Sequence, residues 1–288
     1  MSRIEKSLEK AIEMRESLQK GNGGASAKSL AAAGADIAKL RPGEPVVDIE
    51  GVDKRIICIR EPDSIAAEQY KKLRAKILRA TGPDFLNAIM VTSPHVSEGK
   101  TVTALNVAVS IAREIDRTVL LVDADLRNPT VHRYLGMEPG GGLSDYLKGE
   151  AKLPDVLVKT GIGRLVVLPA GTQSDNPSEL LSSDRMRALV KELKDRYKDR
   201  YIIFDSSPLL VTADPISLGG FMDGVLLVLQ FARTGPKEAR KALSLLKGCR
   251  VLGAVFNNVP GRLTRQFYPY YYGHYGKAYA PRETKGGK

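Results

Sequence analysis

The segment AIMVTSPHVSEGKT, residues 88–101, decides the fold, because it joins the pattern of a buried strand to the start of a helix. Its first five residues, 88–92, form an apolar run that ends in Thr92. A polar loop follows at 93–99, and residues 100–114 continue in a helical pattern. A strand that passes through a short loop into a helix is the unit from which parallel sheets are built.

The same alternation of strands and helices continues on both sides of this segment. Further strands are predicted at Ile56–Ile59, Thr118–Val122, Leu165–Leu168, Tyr201–Phe204, Val225–Leu229 and Val251–Phe256. Further helices are predicted at Ser64–Ala80, Asp184–Tyr197 and Pro236–Lys247. Near-continuous apolar strands separated by helices indicate an α/β fold of the P-loop NTPase type, a largely parallel sheet with helices on both faces. Ligands of such a sheet bind at the carboxyl ends of the strands.

The loop between the first strand and its helix has the pattern of a phosphate-binding loop. Its backbone N–H groups and the helix N-terminus are expected to point at phosphate oxygens. Lys100 would reach the β- and γ-phosphates, and the Thr101 hydroxyl would supply a Mg²⁺ ligand. Pro94 replaces the first glycine of the general motif, a departure that weakens the match. The nucleotide-binding residues predicted here are Val96, Ser97, Glu98, Gly99, Lys100, Thr101 and Val102.

Three carboxylates follow two other strands at the same edge of the predicted sheet. Asp123 and Asp125 follow the strand that begins at Thr118, and Asp205 follows the strand that begins at Tyr201. A single Asp at a strand end is more often a cap or a turn former. Beside a phosphate loop, however, three of them suit a nucleotide polyphosphate and its Mg²⁺, which prefers oxygen ligands. A nucleotide polyphosphate and Mg²⁺ are therefore expected to bind here.

The bulk composition fits one large α/β domain with extensions. The chain has 288 residues, of which 43% are hydrophobic. Its two cysteines, Cys58 and Cys249, suit a reducing compartment, because they are too few for a disulfide framework. Neither a signal peptide nor an apolar run of membrane-spanning length is found in the sequence. A cytoplasmic protein is expected, recruited by a partner to the inner face of the plasma membrane.

The C-terminal segment, predicted as a disordered tail at 263–288, holds six of the eleven tyrosines. They are Tyr268, Tyr270, Tyr271, Tyr272, Tyr275 and Tyr279. From Arg262 to the end there are six Lys or Arg residues and one Glu, so this stretch carries +5 of the net charge of +11. A segment so rich in Gly and basic residues cannot bury tyrosine rings, which indicates that the hydroxyls are presented for chemistry. A sticky, disordered end is the alternative interpretation.

The N-terminal 1–45 is predicted to contain an amphipathic helix and a flexible linker. Ile4, Leu8, Ile12 and Leu18 lie at helical spacing between charged residues, and Gly21 begins the linker. The helix would dock on its own domain, or on a partner or membrane surface. Residues 46–262 form the predicted catalytic domain.

Together these motifs resemble the bacterial tyrosine kinase family, P-loop autokinases of capsule and exopolysaccharide synthesis. The resemblance covers about residues 55–280. Residues 93–101 are similar to the family's Walker A motif, 123–127 to its Asp-x-Asp-x-Arg motif, 204–208 to its Walker B motif, and the tail to its tyrosine cluster. Residues 176–181, Asn-Pro-Ser-Glu-Leu-Leu, are also similar to a family segment. The N-terminal helix and linker resemble the stand-alone subgroup linked to exosortase loci.

The resemblance implies an ATP-dependent tyrosine kinase that phosphorylates its own tail in trans within an oligomer and regulates exopolysaccharide polymerisation or export. Asp123 is the candidate base for the tyrosine hydroxyl, although it could exchange roles with Asp125. Asp125 and Asp205 would organise Mg²⁺ with Thr101, and Lys100 would neutralise the transferring phosphoryl group. Nucleotide contacts are also expected from Arg127 and Asn257.

The resemblance also implies partners. Glu68, Lys71 and Arg74 recur every three residues on one predicted helix, where the family has a Glu-x-x-Arg-x-x-Arg contact between neighbouring subunits of a ring. Lys71 stands where that pattern has Arg, and a lysine cannot reproduce a bidentate guanidinium contact, so a weaker ring interface is one interpretation and a solvated helix face is the other. A separate membrane co-polymerase activator and a cognate tyrosine phosphatase are expected, and no nucleic acid.

Two other functions remain open from the sequence. A partitioning or positioning ATPase of the same fold would carry an extra lysine five residues before the loop lysine, where this chain has His95. Such a protein gives no reason for the tyrosine tail. A nucleotide-gated scaffold without kinase activity is the third possibility.

Overall fold

The fold is known from a computed structural model that describes residues 47–82, 85–138, 140–196, 199–261 and 263. The predicted N-terminal helix and nearly all of the tail, including its six tyrosines, lie outside these residues. The helices are α1 (Ile57–Arg60), α2 (Ile65–Thr81), α3 (Lys100–Ala112), α4 (Val131–Tyr134), α5 (Leu143–Lys148), α6 (Leu153–Val156), α7 (Pro177–Ser182), α8 (Asp184–Arg196), α9 (Asp214–Gly219) and α10 (Pro236–Leu245). The strands are β1 (Ala88–Thr92), β2 (Thr118–Asp123), β3 (Val158–Lys159), β4 (Leu165–Leu168), β5 (Arg200–Asp205), β6 (Gly224–Gln230) and β7 (Val251–Asn257).

The strands form one sheet in the order β3-β4-β2-β5-β1-β6-β7. All neighbours are parallel except β3 and β4, which are antiparallel. Every residue of β1 is buried, so both faces of the central strands are covered. Alternate strand residues pack with α1, α2 and α3 in one hydrophobic core. This confirms the predicted α/β fold with a largely parallel sheet.

One predicted strand is wrong. Residues Ile56–Ile59 do not join the sheet; most of them form the helical turn α1. Ile56, Cys58 and Ile59 are buried, and the Cys58 N–H donates to Asn106 Oδ1 at 2.9 Å. A short apolar run is equally consistent with a buried strand and a buried helical turn, and here the contact with α3 decides between them.

The remaining predicted elements match the structure to within a few residues, whereas the short helices α4, α5, α6, α7 and α9 were not predicted. The predicted helix at 64–80 is α2, whose cap Ser64 accepts a hydrogen bond from the Ala67 N–H at 3.1 Å. The short antiparallel strand β3 was not predicted, because two residues are too few to show a pattern. Within the described part of the chain, no helix is long and apolar enough to cross a membrane.

Candidate active site

The sheet brings the predicted acidic residues to one edge, at the carboxyl ends of its central strands. In the parallel register, Asp123 at the end of β2 lies beside Asp205 at the end of β5. On its other side β5 pairs with β1, which leads into the phosphate loop. The topology thus places two strand-end carboxylates next to the loop that carries Lys100.

The phosphate loop has two residues with left-handed backbone. Ser97 has a φ of 62° and Gly99 a φ of 91°. A Cβ on Gly99 would lie 1.9 Å from the Asn257 amide nitrogen, so this position excludes a side chain. Loops that alternate backbone conformation in this way direct successive N–H groups into a concavity that suits phosphate.

The side chain of Glu98 stabilises this loop through hydrogen bonds within the loop and to Thr234. It is buried, and it accepts hydrogen bonds from the His95 N–H at 3.0 Å and from the Thr234 hydroxyl. The predicted nucleotide contact of Glu98 would therefore come from its backbone. Thr234 follows β6, so its hydrogen bond to Glu98 ties the phosphate loop to the next strand of the sheet.

Asn257 holds the same loop from β7. Its amide nitrogen donates to the Glu98 carbonyl at 2.9 Å. His95 adds a further link, because its Nε2 lies 2.9 Å from Glu238 Oε1 in the first turn of α10. Asn257 also lines the cavity over the site. Asn257 therefore lies beside the phosphate loop, and its side chain is already hydrogen-bonded to the Glu98 carbonyl.

Lys100 is the centre of the charged cluster. Its Nζ lies 2.7 Å from Asp125 Oδ2, 3.7 Å from Asp205 Oδ1 and 3.2 Å from the Thr101 hydroxyl. Burial favours the neutral amine, but the charges of Asp205 and Asp125 outweigh it, and the pKa of Lys100 is raised. The structure therefore brings together the four residues predicted to bind phosphate and metal.

Asp123 is fully buried behind this cluster. Its Oδ1 accepts the Asp125 N–H at 3.3 Å, and its Oδ2 accepts the N–H groups of Thr130 at 3.2 Å and Val131 at 3.1 Å. Burial and the nearby charge of Asp205 raise the pKa of Asp123. Asp125 lines the cavity over the site and Asp123 does not.

Asp205 is also fully buried, and neither of its carboxylate oxygens has a hydrogen-bond partner among the described residues. Burial raises its pKa, and the charge of Lys100 opposes that effect. A buried carboxylate with unpartnered oxygens fits a hard cation or the water molecules of its hydration shell. With Asp125 and the Thr101 hydroxyl, it forms an all-oxygen donor set that suits Mg²⁺.

No group of three or more His, Cys, Asp or Glu side chains with the arrangement of a metal site is present in the described ranges. Mg²⁺ commonly binds through one or two carboxylates together with substrate phosphates and water. The donor set at Asp205 is of that kind.

The raised pKa values predict a pH dependence of the protein without nucleotide. Between about pH 4, the ordinary carboxyl value, and the raised values, the folded protein binds more protons than the unfolded chain. The contribution of Asp123 and Asp205 to the free energy of unfolding is therefore greatest at or below about pH 4 and decreases as the pH rises through their raised pKa values. We expect thermal unfolding scans from pH 5 to 8 to show a falling midpoint, with a shallower slope in Asp205→Asn. Asp116→Asn, at an exposed position, should keep the wild-type slope; a midpoint that rises with pH in all three proteins would contradict the assignment.

Arg127 lies at the wall of the same cavity, on the β2 side. Its Nε donates to Asp214 Oδ2 at 2.7 Å, and its Nη2 donates to the Ser178 hydroxyl at 2.8 Å. Sequence analysis missed Asp214, which begins α9. The one feature of the sequence that pointed toward Asp214 was the similarity of residues 176–181 to a family segment. That segment contains Ser178, whose hydroxyl donates a hydrogen bond to Asp214 Oδ1.

The cavity over the site has a volume of about 1960 Å³. Its walls include the loop residues Val96, Ser97, Gly99, Lys100, Thr101 and Val102. Three exposed apolar side chains also line it: Val96, Val211 and Phe256. A cavity with charged groups at its base and exposed apolar walls can hold a nucleotide with its phosphates at Lys100.

The predicted interface stripe lies on α2, and its side chains have partners within the chain. Lys71 pairs with Glu68 at 3.2 Å. Arg74 donates to the Ser110 carbonyl at 2.9 Å and pairs with Glu114 at 2.6 Å. Arg74 therefore ties α2 to α3 and to Glu114, just beyond the C-terminal end of α3.

The relatives at 30% identity or more are bacterial tyrosine-protein kinases. The chain is 36% identical to the tyrosine-protein kinase YwqD of Bacillus subtilis over 208 residues, 72% of this chain and 86% of that protein. It is 30% identical to the putative tyrosine-protein kinase CapB of Staphylococcus aureus, over 74% of this chain and 92% of that protein. The fold matches the kinase domain of the Escherichia coli tyrosine kinase ETK with a TM-score of 0.67 and 31% identity, over 77% of this chain and 84% of that one. No protein-family model matches the chain.

Proposed function

The chain belongs to the bacterial tyrosine-protein kinases, and we propose from this premise that it phosphorylates tyrosines of its own C-terminal segment with Mg-ATP. The observation that carries the proposal is the cluster in which Lys100 lies 2.7 Å from Asp125 and 3.7 Å from Asp205 at the phosphate loop. The acceptors are the six tyrosines from Tyr268 to Tyr279, which lie outside the described residues. The reaction moves the γ-phosphoryl group of ATP to a tyrosine hydroxyl.

The loop and its lysine bind and orient the phosphates. Backbone N–H groups of residues 96–102 contact the phosphate oxygens, and Lys100 moves from Asp125 to neutralise the transferring group. Thr101, Asp205 and, unless it acts as the base, Asp125 would hold Mg²⁺, which would supply charge stabilisation to the phosphates. Asn257 and Glu98 keep the loop in this conformation, and Val96 and Val102 provide apolar walls beside it.

Asp123 and Asp125 are the two candidates for the base that accepts the tyrosine proton. Asp123 has a raised pKa, which suits a base. Its oxygens, however, accept three backbone N–H groups and it does not line the cavity. Asp125 lines the cavity, and its ion pair with Lys100 is released when that lysine contacts phosphate. The geometry thus favours Asp125 over Asp123 as the base. In that arrangement Thr101 and Asp205 would hold Mg²⁺, and Asp123 would position the 125–131 turn.

The wider function rests on the family. We infer that the kinase works in a ring-like homo-oligomer, with α2 residues Glu68, Lys71 and Arg74 at the subunit contact. It regulates exopolysaccharide polymerisation or export at the cytoplasmic face of the plasma membrane, with a membrane co-polymerase as activator and a tyrosine phosphatase as antagonist. Each phosphate adds about −1.5 to −2 charges, so several would reverse the +5 charge of residues 262–288, expel the tail from the site and loosen the assembly.

Mass spectrometry of the tail after incubation with Mg-ATP tests the kinase proposal. Wild-type protein should carry phosphotyrosine within 268–279, and a variant with all six tail tyrosines changed to Phe should lose at least about nine tenths of its total phosphotyrosine, because Tyr70, Tyr134, Tyr146 and Tyr201 are partly or fully buried in the folded domain. Tyr146→Phe is the matched control, since its ring packs under Arg185 in the folded domain. It should be phosphorylated like wild type.

Two outcomes would contradict the proposal. ATP hydrolysis without any phosphotyrosine in wild type would instead fit a positioning ATPase of the same fold. Phosphotyrosine that persists in the six-Phe variant would place the acceptor elsewhere in the chain.

A further inference from the structure

Asp214, the first residue of α9, is a buried carboxylate that the reaction above does not use. It is 2% exposed. Its Oδ2 accepts a hydrogen bond from Arg127 Nε at 2.7 Å, and its Oδ1 accepts one from the Ser178 hydroxyl at 2.5 Å. Burial opposes ionisation, but the hydrogen bonds from Arg127 and Ser178 prevail and lower the pKa of Asp214. At neutral pH it is therefore a fixed negative charge beside Arg127.

This charge holds the guanidinium of Arg127 in one plane. Nη2 of Arg127 also lies 3.4 Å from Asp214 Oδ1 and donates to Ser178 at 2.8 Å, so two nitrogens are fixed from α7 and α9. The other terminal nitrogen, Nη1, makes no hydrogen bond to any described residue. Yet the side chain is 44% exposed and lines the cavity. A guanidinium held in this way reaches a ligand with little further loss of rotamer freedom.

The sheet order decides which part of a nucleotide Arg127 can contact. β1 lies between β5 and β6, with β2 beyond β5 on one side and β7 beyond β6 on the other. Asn257, at the end of β7, and Arg127, after β2, therefore lie on opposite sides of the phosphate loop. Asp125, which pairs with Lys100, is two residues from Arg127. Arg127 thus stands on the side of the loop where Asp125 pairs with Lys100, the residue that the proposed function assigns to the transferring phosphoryl group.

We propose that Asp214 is a positioning residue that holds Arg127 against the terminal phosphate of a bound nucleoside triphosphate, so that the protein distinguishes ATP from ADP. The inference rests on the proposed ATP-dependent function. Asp214 acts only through Arg127, and Ser178 supports the same arrangement. ADP lacks the group that Arg127 contacts, so its affinity does not depend on the pair.

Calorimetric titration of the full chain with Mg²⁺ and either a non-hydrolysable ATP analogue or ADP tests this. Asp214→Asn should weaken binding of the analogue about tenfold, the value of one charge-assisted hydrogen bond, and change ADP affinity by less than about twofold. Arg127→Ala should do the same. The double variant should bind the analogue no more weakly than Arg127→Ala alone, because both changes remove one contact.

The assignment would be overturned if Asp214→Asn weakened the binding of the analogue and of ADP equally, or if the losses of affinity in the double variant were additive. Asp214 would then have a packing role. If Asp214→Asn fails to fold, Ser178→Ala decides, since it removes a single hydroxyl; a loss of about threefold for the analogue alone is expected, and no change overturns the proposal. These titrations need no phosphotransfer. Wild-type protein without phosphotyrosine would defeat the proposed function and leave this ratio of affinities as a separate result.

Discussion

Lys100→Ala protein incubated alone with Mg-ATP should show tail phosphotyrosine reduced by a factor of about 10³ or more, because the loop loses the cation that neutralises the transferring phosphoryl group. The substitution also leaves Asp125 and Asp205 without the Nζ that lies 2.7 Å and 3.7 Å from them. Two carboxylates near the phosphates would then repel the nucleotide. Quantitative mass spectrometry of residues 264–288 measures the loss. Lys241→Ala, at an exposed position of α10, is the control and should retain wild-type phosphorylation.

The same variant tests transfer between subunits. Lys100→Ala has an intact tail and no active site, whereas the six-Phe variant has an active site and no acceptor. Each variant alone should form little or no tail phosphotyrosine. In their mixture the tail of the Lys100→Ala chain should be phosphorylated, because a chain end that leaves next to its own phosphate loop rarely reaches in-line geometry in its own site. A mixture that stays unmodified while the wild type is phosphorylated would show that transfer occurs within one chain.

The parallel sheet and the phosphate loop could be predicted because their signals are local. The run at 88–92 is buried throughout, and a strand followed by a glycine-bearing loop and a helix has few alternative structures. The strand prediction at Ile56–Ile59 was wrong because the decisive signal there is not local. Four apolar residues carry no period, and the partner that selects a helical turn, Asn106, is 48 positions away.

The supporting residues of the site could not be predicted, because their partners are distant in sequence. Asp214 lies 87 positions from Arg127, and Thr234 lies 136 positions from Glu98. The sequence indicated that Asp123, Asp125 and Asp205 share an edge, since all follow strands. It could not show that Asp123 is enclosed by backbone N–H groups while Asp125 lines the cavity. That difference depends on how the turn at 125–131 folds back over β2.

Asp205→Asn should have opposite effects on stability and on activity. In the protein without nucleotide, Asp205 is a fully buried carboxylate with unpartnered oxygens, and one cation, Lys100, faces three carboxylates. A neutral amide relieves that repulsion and desolvation, so unfolding should require about 1–2 kcal/mol more, or roughly 2–8 °C in the midpoint. Phosphotyrosine formation should fall about 10²–10³-fold, because a Mg²⁺ ligand is lost. Thermal scans without nucleotide and single-turnover assays measure the two effects.

Asp125→Asn is the matched control, because it removes a neighbouring carboxylate from the same cluster but also removes the 2.7 Å ion pair with Lys100. It should lose activity to a similar degree and lose stability as well, since a buried lysine then keeps its nearest carboxylate only at 3.7 Å. Opposite signs of the stability change at Asp205 and Asp125 would mean that the fold tolerates a buried Asp205 carboxylate without hydrogen bonds to the described residues because the reaction requires it. If Asp205→Asn destabilises as much as Asp125→Asn, or keeps wild-type activity, then Asp205 serves the folded structure and the metal is held elsewhere.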